Sequence, residues 1–168
     1  MSFDIVGLPV HRYICANMTP ITKFYEVLYI STLSPTLPVN VVANIAARAR
    51  TLNAAHDITG LLIFDGMRFC QQIEGRQKEV LATIERISKD TRHTNVTIFH
   101  HGPLLERRFK SFSLAFTDMN DIEALSNMEK LDGLPGVTAF VDLLSTLDLE
   151  GHPESFRFEE KTKDALQA

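Results

Sequence analysis

The chain alternates between short apolar runs with a two-residue period and longer stretches in which apolar residues recur every three or four positions. The first pattern is typical of strands and the second of amphipathic helices. Strands are predicted at Phe24–Ser31, Ile58–Asp65, Met67–Glu74, Thr94–His100 and Ser111–Thr117. Helices are predicted between them at Val39–Ala54 and Lys78–Lys89.

The order of these elements predicts the fold class. Along the chain they form β-α-β-β-α-β-β, with Asp65-Gly66 as the hairpin turn between the middle strands. This is the split pattern of a ferredoxin-like sheet, an α+β fold in which both helices pack on one face. That face leaves a slot between the two helices.

The chain changes character after Phe116. Two shorter helices are predicted at Asp121–Leu131 and Val137–Leu147, and we expect them to cover the opposite face of the sheet. Their apolar residues fit core contacts or, alternatively, a seam between two copies of the chain: Ile122, Leu125, Phe140, Leu143 and Leu144. The predicted organisation is an N-terminal extension (1–23), a core domain (24–117), a helical cap (118–149) and a polar tail (150–168).

Composition narrows the classes of partner. The chain has 168 residues, 45% hydrophobic and 23% charged, with a net charge of -4 and no long basic run, which argues against direct nucleic-acid binding. No apolar run approaches the ~20 residues that span a bilayer, and no secretory signal is present, so we predict a cytoplasmic protein without membrane contact. The two cysteines, Cys15 and Cys70, are too few for a disulfide framework and lack metal-ligand spacing.

Several spaced motifs within residues 24–116 carry a more specific signal. They are Leu28-Tyr29-Ile30-Ser31, Asn53 ahead of Asp57-Ile58-Thr59-Gly60, Phe69-Cys70-Gln71-Gln72-Ile73-Glu74-Gly75 and Asp90-Thr91-Arg92-His93. Together they resemble the BLUF family, the blue-light photoreceptor domains that bind a flavin. The resemblance implies that FAD, with FMN as an alternative, lies non-covalently between the two helices.

The resemblance also implies roles for individual residues. Tyr29 matches the family tyrosine whose hydroxyl bonds a glutamine, here Gln71, and this glutamine reaches the N5 and O4 edge of the flavin. Asn53 matches the asparagine that bonds the pyrimidine edge of the ring. The other implied cofactor-binding residues are Ile45 and Ile87 on either side of the ring, Phe69 and Ser31 on the strands, and Asp90, Arg92 and His93 near the ribityl and phosphate groups.

Strand alternation gives an independent reason to examine Tyr29 and Gln71. Tyr29 shares a strand face with Val27, and Gln71 shares one with Phe69. If these faces point to the helices, both polar groups lie in the slot and need partners, because unpaired buried polar groups are costly. A flavin edge would supply such partners.

The function that the resemblance implies is blue-light sensing. Light drives proton-coupled electron transfer from Tyr29, and Gln71 rearranges its hydrogen bonds to give a red-shifted signalling state. No effector domain is expected after Phe116, so the chain is predicted to be a photosensory flavoprotein and not an enzyme. We expect the signal to pass to a separate, unidentified protein, and we expect a homo-oligomer.

The last predicted strand departs from the family pattern. Phe112 and Leu114 stand where family members often carry a tryptophan and a methionine, and the chain has no tryptophan. Phe112 lacks the indole N–H donor, and Leu114 lacks a sulfur acceptor. These two positions are the predicted route of signal transmission, so transmission and dark recovery are the steps that the departure affects.

Other interpretations of the same residues stay open. The chain could be an interaction module that keeps the fold without useful photochemistry, which the replacements on the last strand favour. A small hydrolase such as an acyl phosphatase is disfavoured because no arginine-rich phosphate loop is present. By alternation, Cys70 is expected to be a core thiol and Gln72 a solvated residue. The connection Glu106-Arg107-Arg108 is expected to be solvated, and Arg48 and Arg50 to lie on an exposed helix face from which one could approach a phosphate.

Overall fold

The computed structural model of the protein describes residues 23–117 and 122–147. Its elements are β1 (Phe24–Leu33), α1 (Val41–Ala55), β2 (Thr59–Phe64), β3 (Arg68–Gly75), α2 (Gln77–Ser88), β4 (His93–Leu104), β5 (Phe112–Phe116), α3 (Ile122–Met128) and α4 (Gly133–Thr146). The predicted polar tail, and the predicted N-terminal extension up to residue 22, lie outside the described residues. Among the helices described, none has the length and apolar character needed to cross a membrane.

The five strands form one mixed sheet in the order β4-β1-β3-β2-β5. β1 pairs antiparallel with both β3 and β4, and β3 pairs antiparallel with β2. β5 joins the edge of the sheet by pairing parallel with β2. The α+β, ferredoxin-like arrangement predicted from the sequence is confirmed, with β5 as an added edge strand.

Two strands are longer than the sequence pattern predicts. β1 continues to Leu33, whose N–H donates to the Met67 carbonyl oxygen at 2.8 Å. β4 continues to Leu104 and includes Pro103. A proline is tolerated there because β4 lies at the edge of the sheet, where one side of the strand needs no backbone partner.

The helix boundaries also differ in detail. α1 begins at Val41 rather than Val39, because a turn precedes it in which the Val41 N–H donates to the Pro38 carbonyl oxygen at 3.1 Å. α3 is shorter than predicted. α4 begins at Gly133, ahead of the predicted start, because Pro135 fits the first turn of a helix, where its missing N–H costs nothing.

The two faces of the sheet bury different cores. On one face, α1 packs over a cluster that contains Leu62 and Phe112, and α2 packs over a cluster that contains Tyr29 and Ile73. On the other face, α3 and α4 cover the sheet, which confirms the predicted helical cap. The buried residues that the cap contributes are Leu125, Met128, Phe140, Leu143 and Leu144.

Polar residues lie buried on the cap-facing side of the sheet. Glu26, Gln72 and Glu74 are only 5%, 4% and 0% exposed. The expectation that Gln72 is solvated is therefore wrong, because β3 is an inner strand covered on both faces. Arg108 bonds the Glu26 carboxylate, so the connection before β5 is only partly solvated. Cys70 is buried in the same core and donates from Sγ to Met128 Sδ at 3.5 Å.

β2 and β3 approach each other closely at Gly60. A Cβ atom added there would lie 2.0 Å from the Gln72 carbonyl oxygen, and the φ angle of Gly60 is +154°. Glycine suits this position because it has no Cβ and adopts positive φ without strain. The contact supports the register in which Leu62 of β2 faces Gln71 of β3.

α4 crosses β4 closely at Gly136, where an added Cβ would lie 2.5 Å from the Phe99 ring. We expect Gly136→Ala to lower the free energy of unfolding by about 1–2 kcal/mol, since overpacking outweighs the gain in helix propensity. Chemical denaturation measures the loss. Gly102→Ala is the control, because a Cβ there meets no atom within 4 Å. Similar losses in both variants would rule out the collision with Phe99 as the cause.

Candidate functional site

A cavity of about 440 Å³ opens between α1 and α2, on the face of the sheet that these helices cover. Its floor is formed by Tyr29, Leu62 and Gln71 from three adjacent strands. Its walls come from α1 and α2, and part of its rim comes from the turn between α2 and β4. The cavity occupies the slot between the helices that the order of elements predicts.

Tyr29 and Gln71 face each other directly across β1 and β3. The Tyr29 hydroxyl donates to Gln71 Oε1, and both side chains are buried. Burial is the main cause that raises the pKa of the Tyr29 hydroxyl well above its ordinary value, and Cys70 and Asp90 add to it. Tyr29 is therefore a neutral phenol whose proton already points at the glutamine carbonyl.

Two buried side-chain amides line the cavity with unused hydrogen-bonding capacity. Gln71 accepts the Tyr29 bond through Oε1, and its Nε2 has no partner among the described residues. Asn53, near the end of α1, is 3% exposed, and within the same described set its side chain makes no hydrogen bond. The atoms of these amides are open to the cavity and have no partner among the described residues, so both side chains are available to bond a polar ligand at this end of the cavity.

Apolar side chains face each other across the cavity. α1 contributes Ile45, Ala49 and Leu52, and α2 contributes Ile87 opposite them. Facing apolar side chains, with the Tyr29–Gln71 pair on the floor, suit a flat, largely apolar molecule that carries hydrogen-bonding groups on one edge.

The cavity lining carries more positive than negative charge. Three arginines, Arg48, Arg86 and Arg92, and one acid, Asp90, contribute to it. Arg92 Nε donates to Asp90 Oδ1 at 2.9 Å, and the Arg92 N–H donates to the same atom at 3.0 Å. The Arg92 bond holds the pKa of Asp90 down at about 2. Since Asp90 pairs with Arg92, the charges of Arg48 and Arg86 are available to an anionic ligand.

His93 lies where β4 begins and also lines the cavity. Its Nδ1 lies 3.0 Å from Ser31 Oγ, and its ring packs against the Phe69 ring with centroids 4.8 Å apart. Burial lowers the pKa of His93; the charge of Asp90 opposes this effect and the charge of Arg92 adds to it. Ser31 and Phe69, predicted as cofactor contacts, thus hold His93 and do not line the cavity themselves.

Phe112 and Leu114 lie behind the cavity wall. Phe112 is 7% exposed and packs in the α1 core, and Leu114 packs against the same cluster. Leu114 is the cross-strand partner of Leu62, which forms part of the cavity floor. The two positions predicted to carry the signal are therefore one strand removed from the ligand site.

The structure brings most of the sequence-predicted site residues to one cavity. Those that line it are Tyr29, Gln71, Asn53, Ile45, Ile87, Asp90, Arg92 and His93. Sequence reasoning missed Thr83 and Arg86, which also line the cavity. Thr83 lies four residues before Ile87, and Arg86 lies four residues before Asp90. Arg86 Nη2 donates to Thr83 Oγ1 at 3.0 Å. The i, i+4 spacing was the signal that could have found them.

Residues 24–115, more than half of the chain, match the family model described as "BLUF: Sensors of blue-light using FAD". The chain belongs to the BLUF family. This BLUF domain is accordingly a blue-light-sensing flavin photoreceptor, and FAD is its cofactor.

Two relatives of this BLUF domain are much longer than the matched segment. It is 34% identical over 90 residues to the photoactivated adenylate cyclase subunit beta of Euglena gracilis, a match that covers 54% of this chain and 10% of that protein. It is 28% identical over 92 residues to the blue light- and temperature-regulated antirepressor BluF of Escherichia coli strain K12, covering 55% of this chain and 23% of that protein. The match therefore spans less than a quarter of either relative.

Solved BLUF structures share the fold. The dark-state structure of the BLUF protein BlrB superposes with a TM-score of 0.61 at 26% identity, covering 74% of this chain and 96% of that one. The ground state of BlsA superposes with a TM-score of 0.64 at 23% identity, covering 74% of this chain and 89% of that one. The second likeness concerns the fold alone.

The residues around the cavity fit FAD. The unpartnered amides of Gln71 and Asn53 suit the polar edge of the isoalloxazine ring, and the walls at Ile45 and Ile87 suit its flat faces. The available arginine charge suits the diphosphate. These are the residues that would hold the cofactor.

The contribution of Arg48 to FAD affinity can be measured separately from that of the residues around the isoalloxazine ring. We expect Arg48→Gln to weaken FAD binding by up to about fivefold, since an exposed ion pair contributes at most ~1 kcal/mol, and to leave riboflavin binding unchanged. Fluorescence titration with both ligands measures this. Arg50→Gln is the control, because Arg50 is exposed on the same helix and does not line the cavity. Equal weakening of FAD and riboflavin would show that Arg48 does not act through the phosphates.

Proposed function

We propose that this BLUF domain signals through proton-coupled electron transfer from Tyr29, followed by rearrangement of the Gln71 hydrogen bonds. The observation that carries the proposal is the buried Tyr29–Gln71 bond on the cavity floor, with the Gln71 amide nitrogen left without a partner among the described residues. When bound and excited by blue light, FAD supplies a strong one-electron oxidant at this site.

Tyr29 is prepared to lose its proton together with an electron. Burial raises the pKa of its hydroxyl, so the proton stays in place in the dark. Once an electron has left the phenol, its acidity rises steeply, and the proton moves to the nearest acceptor. That acceptor is Gln71 Oε1, to which the hydroxyl already donates.

Gln71 can then change the pattern of donors on the cavity floor. Its amide has one acceptor oxygen and two N–H donors, so a tautomeric change or a turn of the amide exchanges donor for acceptor. We propose that the electron and the proton then return to Tyr29 while the amide stays in its new arrangement. This arrangement strengthens the hydrogen bond to the carbonyl edge of the cofactor, which shifts the absorption to the red. No covalent bond to a protein side chain is needed.

A row of cross-strand partners offers a route from Gln71 to the edge of the sheet. Gln71 faces Leu62 on β2, and Leu62 faces Leu114 on β5. One rearranged hydrogen bond supplies roughly 1 kcal/mol, whereas a full two-state swing needs about 5.5 kcal/mol. The output is therefore a partial shift in population that must be amplified downstream. We propose that a separate, cytoplasmic partner or a second copy of the chain provides this amplification.

Removing either member of the pair should abolish the red shift. We expect Gln71→Leu and Tyr29→Phe to keep bound FAD, because the walls and rim are intact, and to lose the light-induced shift entirely. Absorption spectra in the dark and after blue light measure this. A reversible shift of normal size in either variant would contradict the mechanism.

Tyr25→Phe is the matched control for Tyr29→Phe. Tyr25 lies on the same strand and side, and its hydroxyl bonds His101 Nδ1 at 2.6 Å instead of Gln71. We expect this variant to retain the full shift. If the wild-type protein instead binds FAD but shows no light-induced absorption shift, the chain is better described as an interaction module that has kept the fold. The replacements at Phe112 and Leu114 would then be the first to test as the cause.

A further inference from the structure

A second polar cluster lies on the opposite face of β3 from the flavin cavity. Its buried members are Glu26 of β1 and Gln72 and Glu74 of β3. Glu26 and Glu74 are direct cross-strand partners. His100 and Arg108, both half-buried, complete the cluster. Two carboxylates side by side in a covered sheet face are unusual, because burial opposes the charged form of each.

Gln72 bridges the two acids. Its Nε2 donates to Glu26 Oε2 at 2.6 Å and to Glu74 Oε1 at 3.2 Å. An amide nitrogen is a donor only, so this orientation requires both facing oxygens to be acceptors. The cluster as described therefore presents acceptor oxygens of both acids to Gln72, as it does when both are ionised.

The two acids are not equally compensated. Glu26 receives both terminal nitrogens of the Arg108 guanidinium, and His100 Nε2 lies 3.2 Å from its Oε1. Burial acts against ionisation of Glu26, but the hydrogen bonds and charges of His100 and Arg108 keep its pKa below the ordinary value. Glu26 is therefore the acid that stays ionised.

Among the described residues, the cation near Glu74 is Arg108, which it shares with Glu26. Arg108 Nη1 lies 3.8 Å from Glu74 Oε1, and the negatively charged Glu26 is the cross-strand neighbour of Glu74. Glu74 Oε2 accepts the backbone N–H groups of Arg108 and Phe109 at 2.9 and 3.2 Å. On the β2 side, its cross-strand partner is Thr59, which accepts from Arg107 at 3.2 Å. Burial raises the pKa of Glu74 to about 7, with the charge of Glu26 adding to the effect and the bonds to Phe109 and Arg108 opposing it.

We propose that Glu74 and Gln72 form a proton-driven hydrogen-bond switch that reports pH to the connection between β4 and β5. A proton from solvent binds Glu74 Oε1, since Oε2 already accepts two backbone N–H groups. The new O–H is a donor that faces the Gln72 amide nitrogen, which is also a donor. Protonation therefore breaks the longer bond, from Gln72 Nε2 to Glu74, while Gln72 Nε2 keeps its shorter bond to the ionised Glu26.

The switch alters the connection because that connection is anchored to Glu74. A neutral carboxyl is a weaker acceptor than a carboxylate, so protonation weakens the bonds from the Arg108 and Phe109 N–H groups. The connection leads directly into β5, the edge strand paired with β2. This switch works in the dark and does not depend on the photochemistry of the opposite face.

Nuclear magnetic resonance of the FAD-loaded protein in the dark tests the switch. From about pH 5.5 to about pH 8.5, we expect the Glu74 carboxyl carbon, the Gln72 side-chain amide and the Arg108 and Phe109 amides to titrate together in one step. The midpoint should lie near pH 7. The protection factors of the amides of residues 108 and 109, which are their exchange rates corrected for the intrinsic pH dependence, should be about tenfold lower at the acid end, where the charge-assisted bonds are lost.

Glu74→Gln imitates the protonated acid, because its amide nitrogen can donate where the protonated carboxyl would. We expect this variant to lose the titration and to show acid-end values at every pH. Glu85→Gln is the control, since Glu85 is an exposed acid that pairs with Lys89, and it should titrate as the wild type does.

Stability gives a second test with a defined sign. The pKa of Glu74 rises from 4.5 in the unfolded chain to about 7 in the fold, so the folded state binds the proton more tightly between these values. Its contribution to stability is complete below pH 4.5 and is lost as the pH rises through about 7. The wild type should therefore lose stability over this range relative to Glu74→Gln.

The proposal is overturned if the wild-type Glu74 carboxyl carbon does not titrate in this window, a result that needs no variant. It is equally overturned if Glu74→Gln keeps the titration of residues 108 and 109, which would place the proton on another group such as His100. Because every measurement is made in the dark, a failed red shift would count against the photochemical proposal and leave this one standing.

Discussion

The antiparallel register of β1 and β3 is the constraint on which the site depends. It sets Tyr29 opposite Gln71 on an inner pair of strands, where both are covered by helices and neither meets solvent. A slip of β3 by one residue would turn Gln71 to the cap face and separate it from Tyr29. The close approach at Gly60 and the backbone bond from Leu33 to Met67 support the sheet on either side of this pair. The hydrogen bond on the cavity floor is therefore a product of the whole sheet and not of local loops.

β3 serves two environments because successive side chains point to opposite faces. Gln71 faces the cavity between α1 and α2, and its neighbour Gln72 faces the cap together with Glu26 and Glu74. The Gln71 amide accepts a hydrogen bond from Tyr29, and the Gln72 amide donates one to Glu26, so each amide joins β3 to a titratable side chain of β1. The central strand thus holds two hydrogen-bond networks that share a backbone but no side chain.

Periodicity predicted the fold and the slot between the helices, whereas the family resemblance pointed to most of the residues that line the cavity. Alternation placed Tyr29 and Gln71 on the same kind of face, and helical spacing placed Ile45 and Ile87 on the inner sides of their helices. The parallel attachment of β5 to β2 was not predicted, since local pattern carries no information on which distant strand will pair. Gln72 was read as solvated and Arg86 was not considered, because a polar residue type says nothing about what covers it. The resemblance to a family supplied the cofactor, which periodicity alone could not.

The lack of tryptophan has a consequence for the efficiency of light use. An excited flavin takes an electron from whichever oxidisable side chain lies near it, and an indole is easier to oxidise than a phenol. In this chain the indole is absent throughout, and Tyr29 is the one phenol that lines the described cavity. Phe112, which the family resemblance sets at the position of the usual tryptophan, is inert to such oxidation. Under the proposed mechanism, absorbed photons would not be diverted into an unproductive side reaction at β5, and Tyr29 would be the single phenol donor among the residues that line the cavity.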